Sequence, residues 1–467
     1  MSNILNSVSS VLRVNKNTVE IFKNDEIAKT VIDKLVWEAV FGSDSDKKLA
    51  RWLIWEIAQS FGIKPSSIND LYMAKGRGEI ELDFTVPAIN IRGIAYDMAR
   101  AVFATAKRMQ IGAFVCELAR SEMGYTDQAP SEFATVILAA AIKESWQGPV
   151  FIQCDHFQAK AEVPGIPKAD DLDALKTLIK DSIVSGFYNV DIDMSTLVDL
   201  SKPTEKEQQE ANIKYSAEFT NFVRSLEPKA HPISIGGEIG HIGGKNSTLA
   251  DFKAFIEGYN AAIGNLQGIS KVALQTGTSH GGVVLPDGTL AKVDIDFPVL
   301  MAISKFARDA YKIGGAVQHG ASTLPEDLFN QFPKSGALEI HLATEFQNII
   351  MDHPKFPKDL LASMYQWLDN EQQKEREEGQ TNEQFHYKLR KKAWGKFKKA
   401  CWQIPENDKA EIREALAKKF EFLFNALNVK NTKDLIKRYI KVFDFHRQPS
   451  DFGLNTADMG DVSELSD

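Results

Sequence analysis

The chain has 467 residues, with 55 Lys and Arg against 63 Asp and Glu, so its formal net charge at pH 7 is −8. Hydrophobic residues make up 43% of it and charged residues 25%, which is the composition of an ordinary globular protein. This length exceeds the roughly 250–300 residues at which single cores stop growing, so we expect one large enzyme-sized domain with additional helical parts. The mild acidity argues against nucleic acid as the main partner.

Membrane insertion and export are not expected. The longest strongly apolar run, 136–142, is far shorter than the ~20 residues of a membrane span, and the sequence does not open with a basic stretch followed by an apolar one. The three cysteines, Cys116, Cys154 and Cys401, are widely spaced, which excludes a disulfide scaffold or a zinc ribbon and suits a reducing cytosol. We therefore expect a cytoplasmic protein.

Residues 1–82 are predicted to form an N-terminal helical extension. Within 27–37, and again within 48–61, apolar residues recur at the spacing of one helix face. Gly62 follows the second stretch as a C-cap, and the glycine-containing segment 75–78 then interrupts the pattern.

Residues 83–352 show a different pattern, in which short apolar or β-branched runs alternate with longer helix-like stretches. The predicted strands are 84–89, 112–117, 150–154, 189–194, 233–238, 272–277, 315–319 and 338–342. The predicted helices between them include 93–108, 131–145, 169–185, 205–226, 249–263 and 297–311. Eight strands in β-α alternation over about 270 residues predict an α/β fold, a parallel (β/α)8 TIM barrel. A doubly wound open sheet has the same alternation, but eight units without a glycine fingerprint favour the barrel.

Strand-like runs stop after the barrel. Residues 353–445 are predicted to form a C-terminal helical extension with aromatic anchors, and 446–467, rich in Ser, Asp and Gly, a flexible acidic tail. The run 388–399 carries seven Lys or Arg. Because the total charge is negative, we interpret this run as a solvated helix face or a contact with an acidic neighbouring subunit rather than a nucleic-acid site.

Three of the nine histidines lie at or just after the carboxyl ends of predicted strands three, six and seven. They are His156, His280 and His319, and Glu238 ends strand five in the same way. The carboxyl ends of all strands of a barrel meet at one rim, so these side chains are expected to lie together. Three imidazoles and a carboxylate suit Zn2+ with one position left for substrate, although a single histidine at a strand end is usually structural. Asp155 adjoins His156 and is a candidate either for general acid/base catalysis or for orienting a ligand.

Four segments together resemble the zinc-dependent class II fructose-bisphosphate aldolases, in an order and spacing that match that family's barrel over about residues 84–345. The segments are Asp155-His156, the Glu-x-Gly-x-x-Gly-Gly sequence at 238–244, the Gly-Thr-Ser-His-Gly sequence at 277–281 and the His-Gly-Ala-Ser sequence at 319–322. The resemblance implies that His156, His280 and His319 hold zinc, and that Glu238 can hold the metal in a second position. It also implies that Asp155 handles the proton of the hydroxyl beside the cleaved carbon–carbon bond.

The same resemblance implies a phosphate site. Gly281, Gly320 and Ser322 match the family's backbone and hydroxyl contacts to a phosphate, often with a bound monovalent cation (Na+ or K+). On strand eight the family's Asn-x-Asp-Thr is replaced by His-Leu-Ala-Thr at 341–344. Thr344 can still contact phosphate, but contacts with the other sugar hydroxyls must differ, which leaves the identity of the sugar open.

The implied activity is reversible aldol cleavage of fructose 1,6-bisphosphate to dihydroxyacetone phosphate and glyceraldehyde 3-phosphate. The chemistry fits these residue types. Cleavage leaves a carbanion beside a ketone, which a Lewis acid stabilises, while a carboxylate takes the hydroxyl proton. The enzyme alternative is the same cleavage of tagatose bisphosphate or another phosphorylated ketose, and we expect a homo-oligomer, either a dimer or a tetramer.

One proton carrier of the family is missing. After the Gly-Gly pair the better-known branch has acidic residues that move a proton at the dihydroxyacetone carbon, whereas this chain reads Lys-Asn-Ser-Thr at 245–248. His241, Glu117 and Glu122 are candidate substitutes.

A second resemblance indicates a different role. The segment 124–126 with Pro130 and Phe133, followed by Asp155-His156, is similar to the non-catalytic subunit of tagatose-bisphosphate aldolase. The chain could then be a stabilising partner of an enzyme. The full set of zinc ligands argues against this, because a pure partner has no need of a metal with an open coordination position.

Overall fold

The computed structural model describes residues 3–15, 17–81, 83–229, 231–240, 245–277, 285 and 295–454. Its strands are β1 (Leu12–Asn15), β2 (Thr18–Ile21), β3 (Ile63–Ser66), β4 (Val86–Asn90), β5 (Val115–Ala119), β6 (Gly148–Gln158), β7 (Ala161–Val163), β8 (Ile166–Pro167), β9 (Asn189–Asp193), β10 (Ser234–Glu238), β11 (Lys271–Leu274), β12 (Ala316–Gln318) and β13 (Glu339–Leu342).

The helices of the described residues cover the sheet and extend it at both ends. They are α1 (Asn3–Val8), α2 (Asn24–Glu26), α3 (Ile32–Phe41), α4 (Asp44–Ser60), α5 (Asn69–Gly76), α6 (Ala95–Arg108), α7 (Arg120–Tyr125), α8 (Pro130–Lys143), α9 (Asp171–Ser185), α10 (Glu205–Gln208), α11 (Glu210–Leu226), α12 (Leu249–Ile263), α13 (Phe297–Tyr311), α14 (Gln331–Ser335), α15 (Thr344–Met351), α16 (Lys358–Glu371), α17 (Asn382–Leu389), α18 (Ala393–Lys396), α19 (Lys398–Trp402), α20 (Glu406–Ala426) and α21 (Lys433–Tyr439). Among them, no helix combines the length and the apolar character needed to cross a membrane.

Eight parallel strands form a ring in the order β4, β5, β6, β9, β10, β11, β12 and β13. Within this order β6 pairs directly with β9. The last strand, β13, pairs with the first, β4, and this pair closes the barrel. Each of the eight predicted strands overlaps one of these barrel strands, so the (β/α)8 TIM-barrel prediction is confirmed and the open sheet is excluded. The apolar run 136–142 lies in α8, which packs against α3, α4 and α6 and is therefore apolar on every side.

The barrel interior is polar rather than filled with branched apolar side chains. Glu117, Gln153, Lys271 and Glu339, from four different strands, meet there. The amide of Gln153 donates to Glu117 at 2.8 Å, and the ammonium of Lys271 donates to the amide oxygen of Gln153 at 2.7 Å. Because these four side chains hydrogen-bond to one another, the strands that carry them can be buried on both faces.

The N-terminal region contains strands as well as helices. Strands β1 and β2 form an antiparallel hairpin, and β3 adds a ninth parallel strand beside the first half of β6, where Ile63 pairs with Gly148. Helix α4 packs its apolar face, which includes Trp52, against α8. The region thus extends one side of the barrel rather than forming a separate core.

Part of the C-terminal region, residues 377–391, packs over the carboxyl end of the barrel, whereas its later part reaches the amino end, where the carbonyl of Leu427 accepts from the N–H of Thr85. The indole of Trp394 lies over Gly93 so closely that a Cβ there would be 2.8 Å from the ring, and its Nε1 donates to Gln347 at 3.0 Å. Beyond α21 the chain returns to α4, where the indole nitrogens of Trp52 and Trp55 donate to the carbonyls of Arg447 and Phe445. Of the segment predicted as a tail, residues 446–454 lie here, and 455–467 lie outside the described residues.

Candidate metal and substrate site

Asp155 and His156 lie on the same face of β6 because the strand is irregular there. In a regular strand, consecutive side chains point to opposite faces. The pairing of β6 with β9 shifts register between Cys154 and Phe157, and His156 has a φ of 43°, in the left-handed region that non-glycine residues rarely adopt. This bulge brings both side chains to one cavity at the carboxyl end of the barrel.

Two buried carboxylates hold the ring of His156. Its Nδ1 lies 3.1 Å from Oδ2 of Asp193 and 3.1 Å from Oε2 of Glu238. An imidazole whose Nδ1 donates to a carboxylate presents Nε2 as the metal-binding nitrogen. Asp193 was missed in the sequence, although it is the last residue of β9, as Glu238 is of β10.

The two carboxyl groups titrate differently. Burial opposes ionisation of Asp193, but hydrogen bonds from His156 and Ser195 lower its pKa to about 2. Burial and the neighbouring charge of Asp193 raise the pKa of Glu238 to about 8. Among the described residues, Oε1 of Glu238 has no hydrogen-bond partner. A buried carboxylate oxygen in that state is what a bound cation would satisfy.

Asp155 is held at both carboxylate oxygens. Asn90 donates to Oδ2 at 2.8 Å, and Nδ1 of His341 lies 2.9 Å from Oδ1. Burial by itself would raise the pKa of Asp155, but the adjacent His156 and His341 hold it below its usual range. The carboxylate of Asp155 therefore has a fixed orientation, and its neighbours favour its charged form.

His319 completes the described part of the cluster. Its ring centroid lies 3.9 Å from that of His156, and its Nδ1 is 3.9 Å from Oδ1 of Asp155. One ligand atom from each of these three residues lies within 4.8 Å of the others, and the same holds for His156, Asp193 and Glu238. His280 and Gly281 lie outside the described residues, so their predicted roles stay predictions.

The predicted phosphate contacts lie beside this cluster. Gly320, Ser322 and Thr344 line the same cavity as Asp155 and His156. The backbone N–H of Thr344, the first residue of α15, donates to the hydroxyl of Ser322 at 3.0 Å. Hydroxyl groups beside a helix N-terminus form a setting that favours an anion.

The cavity has a volume of about 1120 Å³, and one of its walls comes from the C-terminal region. This wall consists of residues 377–380 with Gln384, Tyr387, Lys388 and Lys391. The part of the basic run at 388–391 thus faces the cavity instead of solvent alone, which the sequence did not indicate. A chamber of this size admits a sugar with two phosphates.

Five cations line the cavity, and three of them are paired. Arg92 pairs with Glu122 at 2.7 Å, Arg120 with Asp171 at 2.7 Å, and Lys388 with Glu377. Lys160 and Lys391 have no ion-pair partner in the described part of the chain. Burial and the nearby charge of Arg92 lower the pKa of Lys391. Asp155 and Glu378 also line the cavity, so its wall carries charges of both signs, and Lys160 and Lys391 are its two lysines outside ion pairs among the described residues.

The candidate substitutes for the missing proton carrier differ in position. Glu122 lines the cavity but is tied to Arg92 at 2.7 Å and to Asn90 at 3.0 Å. Glu117 is fully buried in the barrel interior, and burial together with Asp155 raises its pKa to about 8. His241 lies outside the described residues.

The family model described as fructose-bisphosphate aldolase class-II matches residues 80–404, which is well over half of the chain. No curated protein matches.

Among solved structures, the chain is similar to a fructose-bisphosphate aldolase from Campylobacter jejuni, with 16% identity, a TM-score of 0.47 and coverage of 78% of this chain and 94% of that one. It is also similar to the YdjI aldolase from Escherichia coli K12, with 13% identity, a TM-score of 0.47 and coverage of 78% and 98%. The chain is also similar to the fructuronate-tagaturonate epimerase UxaE from Cohnella laeviribosi, with 9% identity and a TM-score of 0.49. This match covers 94% of the present chain and 91% of the epimerase chain.

Proposed function

The chain belongs to the class II fructose-bisphosphate aldolase family, and on that premise we propose that it is a zinc-dependent aldolase that reversibly cleaves fructose 1,6-bisphosphate. The products are dihydroxyacetone phosphate and glyceraldehyde 3-phosphate. The observation that carries the proposal is the convergence of His156, His319 and Asp155 in one cavity at the carboxyl end of the barrel, with Glu238 in contact with His156.

The described donors fit a zinc ion. Imidazole nitrogen and carboxylate oxygen are the ligands that catalytic zinc takes, usually three from the protein. We assign His156 and His319 as ligands, with His280 as the third from the sequence and Glu238 as a donor for a second position of the metal. The chemistry that bound zinc supplies there is Lewis-acid polarisation of the substrate ketone.

Asp155 acts on the other side of the cleaved bond. Its carboxylate takes the proton of the hydroxyl on the carbon that becomes the aldehyde, and the electron pair of the broken carbon–carbon bond stays on the carbon beside the ketone. The contacts from Asn90 and His341 fix the carboxylate for this transfer. No Schiff-base lysine is required.

The phosphates of the substrate find hydroxyl groups and cationic side chains in the cavity. Gly320, Ser322 and Thr344 bind one phosphate in this proposal, together with Gly281 and a monovalent cation (Na+ or K+). Lys391 and Arg92 supply positive charge for the substrate, and Arg92 lies beside Thr344, to whose hydroxyl its Nη2 donates at 3.4 Å.

The experiment is cleavage of fructose 1,6-bisphosphate by the purified protein, before and after chelation, with zinc added back. Activity that is lost with the chelator and returns with zinc supports the proposal. His280→Ala should lose zinc, and wild-type zinc content in that variant would remove His280 from the site.

Two negative results would indicate another substrate or another role for the protein. One zinc per chain without cleavage would indicate tagatose bisphosphate or another ketose phosphate, since His341 and Ala343 replace the family's sugar-contacting residues. Neither zinc nor cleavage would indicate the stabilising-subunit role.

A further inference from the structure

His341 occupies a position where the family pattern has asparagine, and its ring bridges the cavity and the barrel interior. The side chain is 4% exposed. Its Nδ1 lies 2.9 Å from Oδ1 of Asp155 and 3.2 Å from Oε2 of Glu117, and its Nε2 lies 2.7 Å from Oε1 of Glu339. Both ring nitrogens thus face carboxylate oxygens, so the ring can donate in two directions.

The interior end of the ring is firmly anchored. Glu339 accepts from Gln153 at 3.0 Å and is also bonded to Lys271 and to the hydroxyl of Tyr72. Lys271 in turn lies 2.9 Å from Oδ1 of Asp191. The ring of His341 is therefore fixed by a network whose members come from α5 and from strands β6, β9, β11 and β13.

On the cavity side, Nδ1 of the His341 ring contacts the carboxylate of Asp155. A carboxylate attached by a single bond can rotate, and rotation would turn the accepting oxygen away from a substrate hydroxyl. Asn90 holds one oxygen of Asp155 and His341 holds the other. Asn90 is itself shared with Glu122, so it does not fix the carboxylate plane alone.

We propose that His341 is a positioning residue for Asp155, anchored through Glu339 to Lys271, and that it acts on the reaction only through the orientation of that carboxylate. The proposal rests on the aldolase function proposed above. The orientation of a reacting group affects the chemical step more than it affects substrate binding. When the orientation of Asp155 is lost, kcat should therefore fall while KM stays nearly constant.

Two conservative variants separate the two ends of the ring. His341→Asn places an amide where Nδ1 was and keeps a donor to Oδ1 of Asp155. His341→Gln instead reaches towards Glu339, so Asp155 loses this donor and keeps only Asn90. We expect kcat within about threefold of wild type for His341→Asn and a loss of about 100-fold for His341→Gln, with KM changed less than about threefold and zinc content unchanged. Equal losses in both variants, or loss of zinc, would overturn the proposal.

The dependence on Asp155 is tested in a double-mutant cycle. In an Asp155→Asn background, His341→Gln should lower kcat no further, because the group it positions is already inactive. A further large loss would show that His341 acts directly on the substrate. His231→Asn is the matched control, since His231 is also buried but lies between the rings of Tyr188 and Phe443, before the start of β10.

A second measurement does not need turnover. In protein labelled with 15N-histidine, the NMR signal of the His341 ring, assigned by its absence in His341→Asn, should shift when Asp155 is replaced by Asn. A signal unaffected by that replacement would refute the contact itself. If the wild type cleaves no ketose phosphate, the proposed function fails while this measurement still tests the contact.

Discussion

Lys75, near the end of α5, provides a test of the electrostatics of this fold. Its side chain is 1% exposed, its Nζ donates to the carbonyl of Phe84 at 2.7 Å, and the nitrogen lies 3.3 Å from the centroid of that residue's ring. No carboxylate in the described ranges lies within ion-pair distance of it. Burial lowers the pKa of Lys75 to about 7 from the ordinary 10.5.

The sign of the effect follows from proton linkage. The folded state binds this proton more weakly than the unfolded chain, so folding is penalised at low pH, and the penalty fades as the pH rises from 7 to 10.5. For these two pKa values the penalty is about 4 kcal/mol at pH 7 and about 2 kcal/mol at pH 9. Replacing Lys75 by Met removes this penalty but also leaves the carbonyl of Phe84 without its donor, a pH-independent cost of about 1 kcal/mol.

The assay is denaturant unfolding of wild type and Lys75→Met at pH 7 and pH 9. The variant should be more stable than wild type at pH 7 by about 3 kcal/mol, and this advantage should shrink by about 2 kcal/mol at pH 9. Lys180→Met, at an exposed lysine of α9, is the control and should show no such trend. A stability difference for Lys75→Met that is the same at both pH values would refute the reasoning.

Three further predictions concern the site. Asp155→Ala should keep its zinc and lose cleavage, and near-normal turnover would end its acid/base assignment. Asp193→Asn should weaken zinc binding by about 10–100-fold, measured by competition with a chelator, because the orienting contact with His156 is lost; an unchanged affinity would contradict that role. Lys391→Gln should raise KM about tenfold with little change in kcat, whereas Lys392→Gln, whose lysine pairs with Glu375 and does not line the cavity, should leave KM unchanged.

Much of the barrel was predictable because its strands are short, apolar and separated by helices of regular period. The rim residues were predictable for the same reason. Once the strand ends are known, the barrel geometry brings His156, Glu238 and His319 to one end without any further information. Asp193 also lies at the carboxyl end of a barrel strand, and it was missed only because it is not part of a motif.

Other features are not encoded locally. The bulge that turns Asp155 and His156 to one face depends on a register shift against β9, and pairing registers cannot be read from one strand. The polar interior of the barrel could not be predicted from the sequence. Glu117, Lys271 and Glu339 each occur as a single charged residue within a mainly apolar strand, which does not indicate that they contact one another. Their mutual contacts arise only when distant strands meet.

The wall that the C-terminal region adds to the cavity has a consequence for how the protein is made. The described residues of the rim cluster are Asp155, His156, Asp193, Glu238 and His319. All of them precede position 345 in the chain, whereas Lys388 and Lys391 lie more than forty residues further on. During synthesis the rim cluster therefore leaves the ribosome before the cationic wall. During synthesis the chain passes through a stage at which the rim cluster is complete and two of the cavity's five cations are still to come.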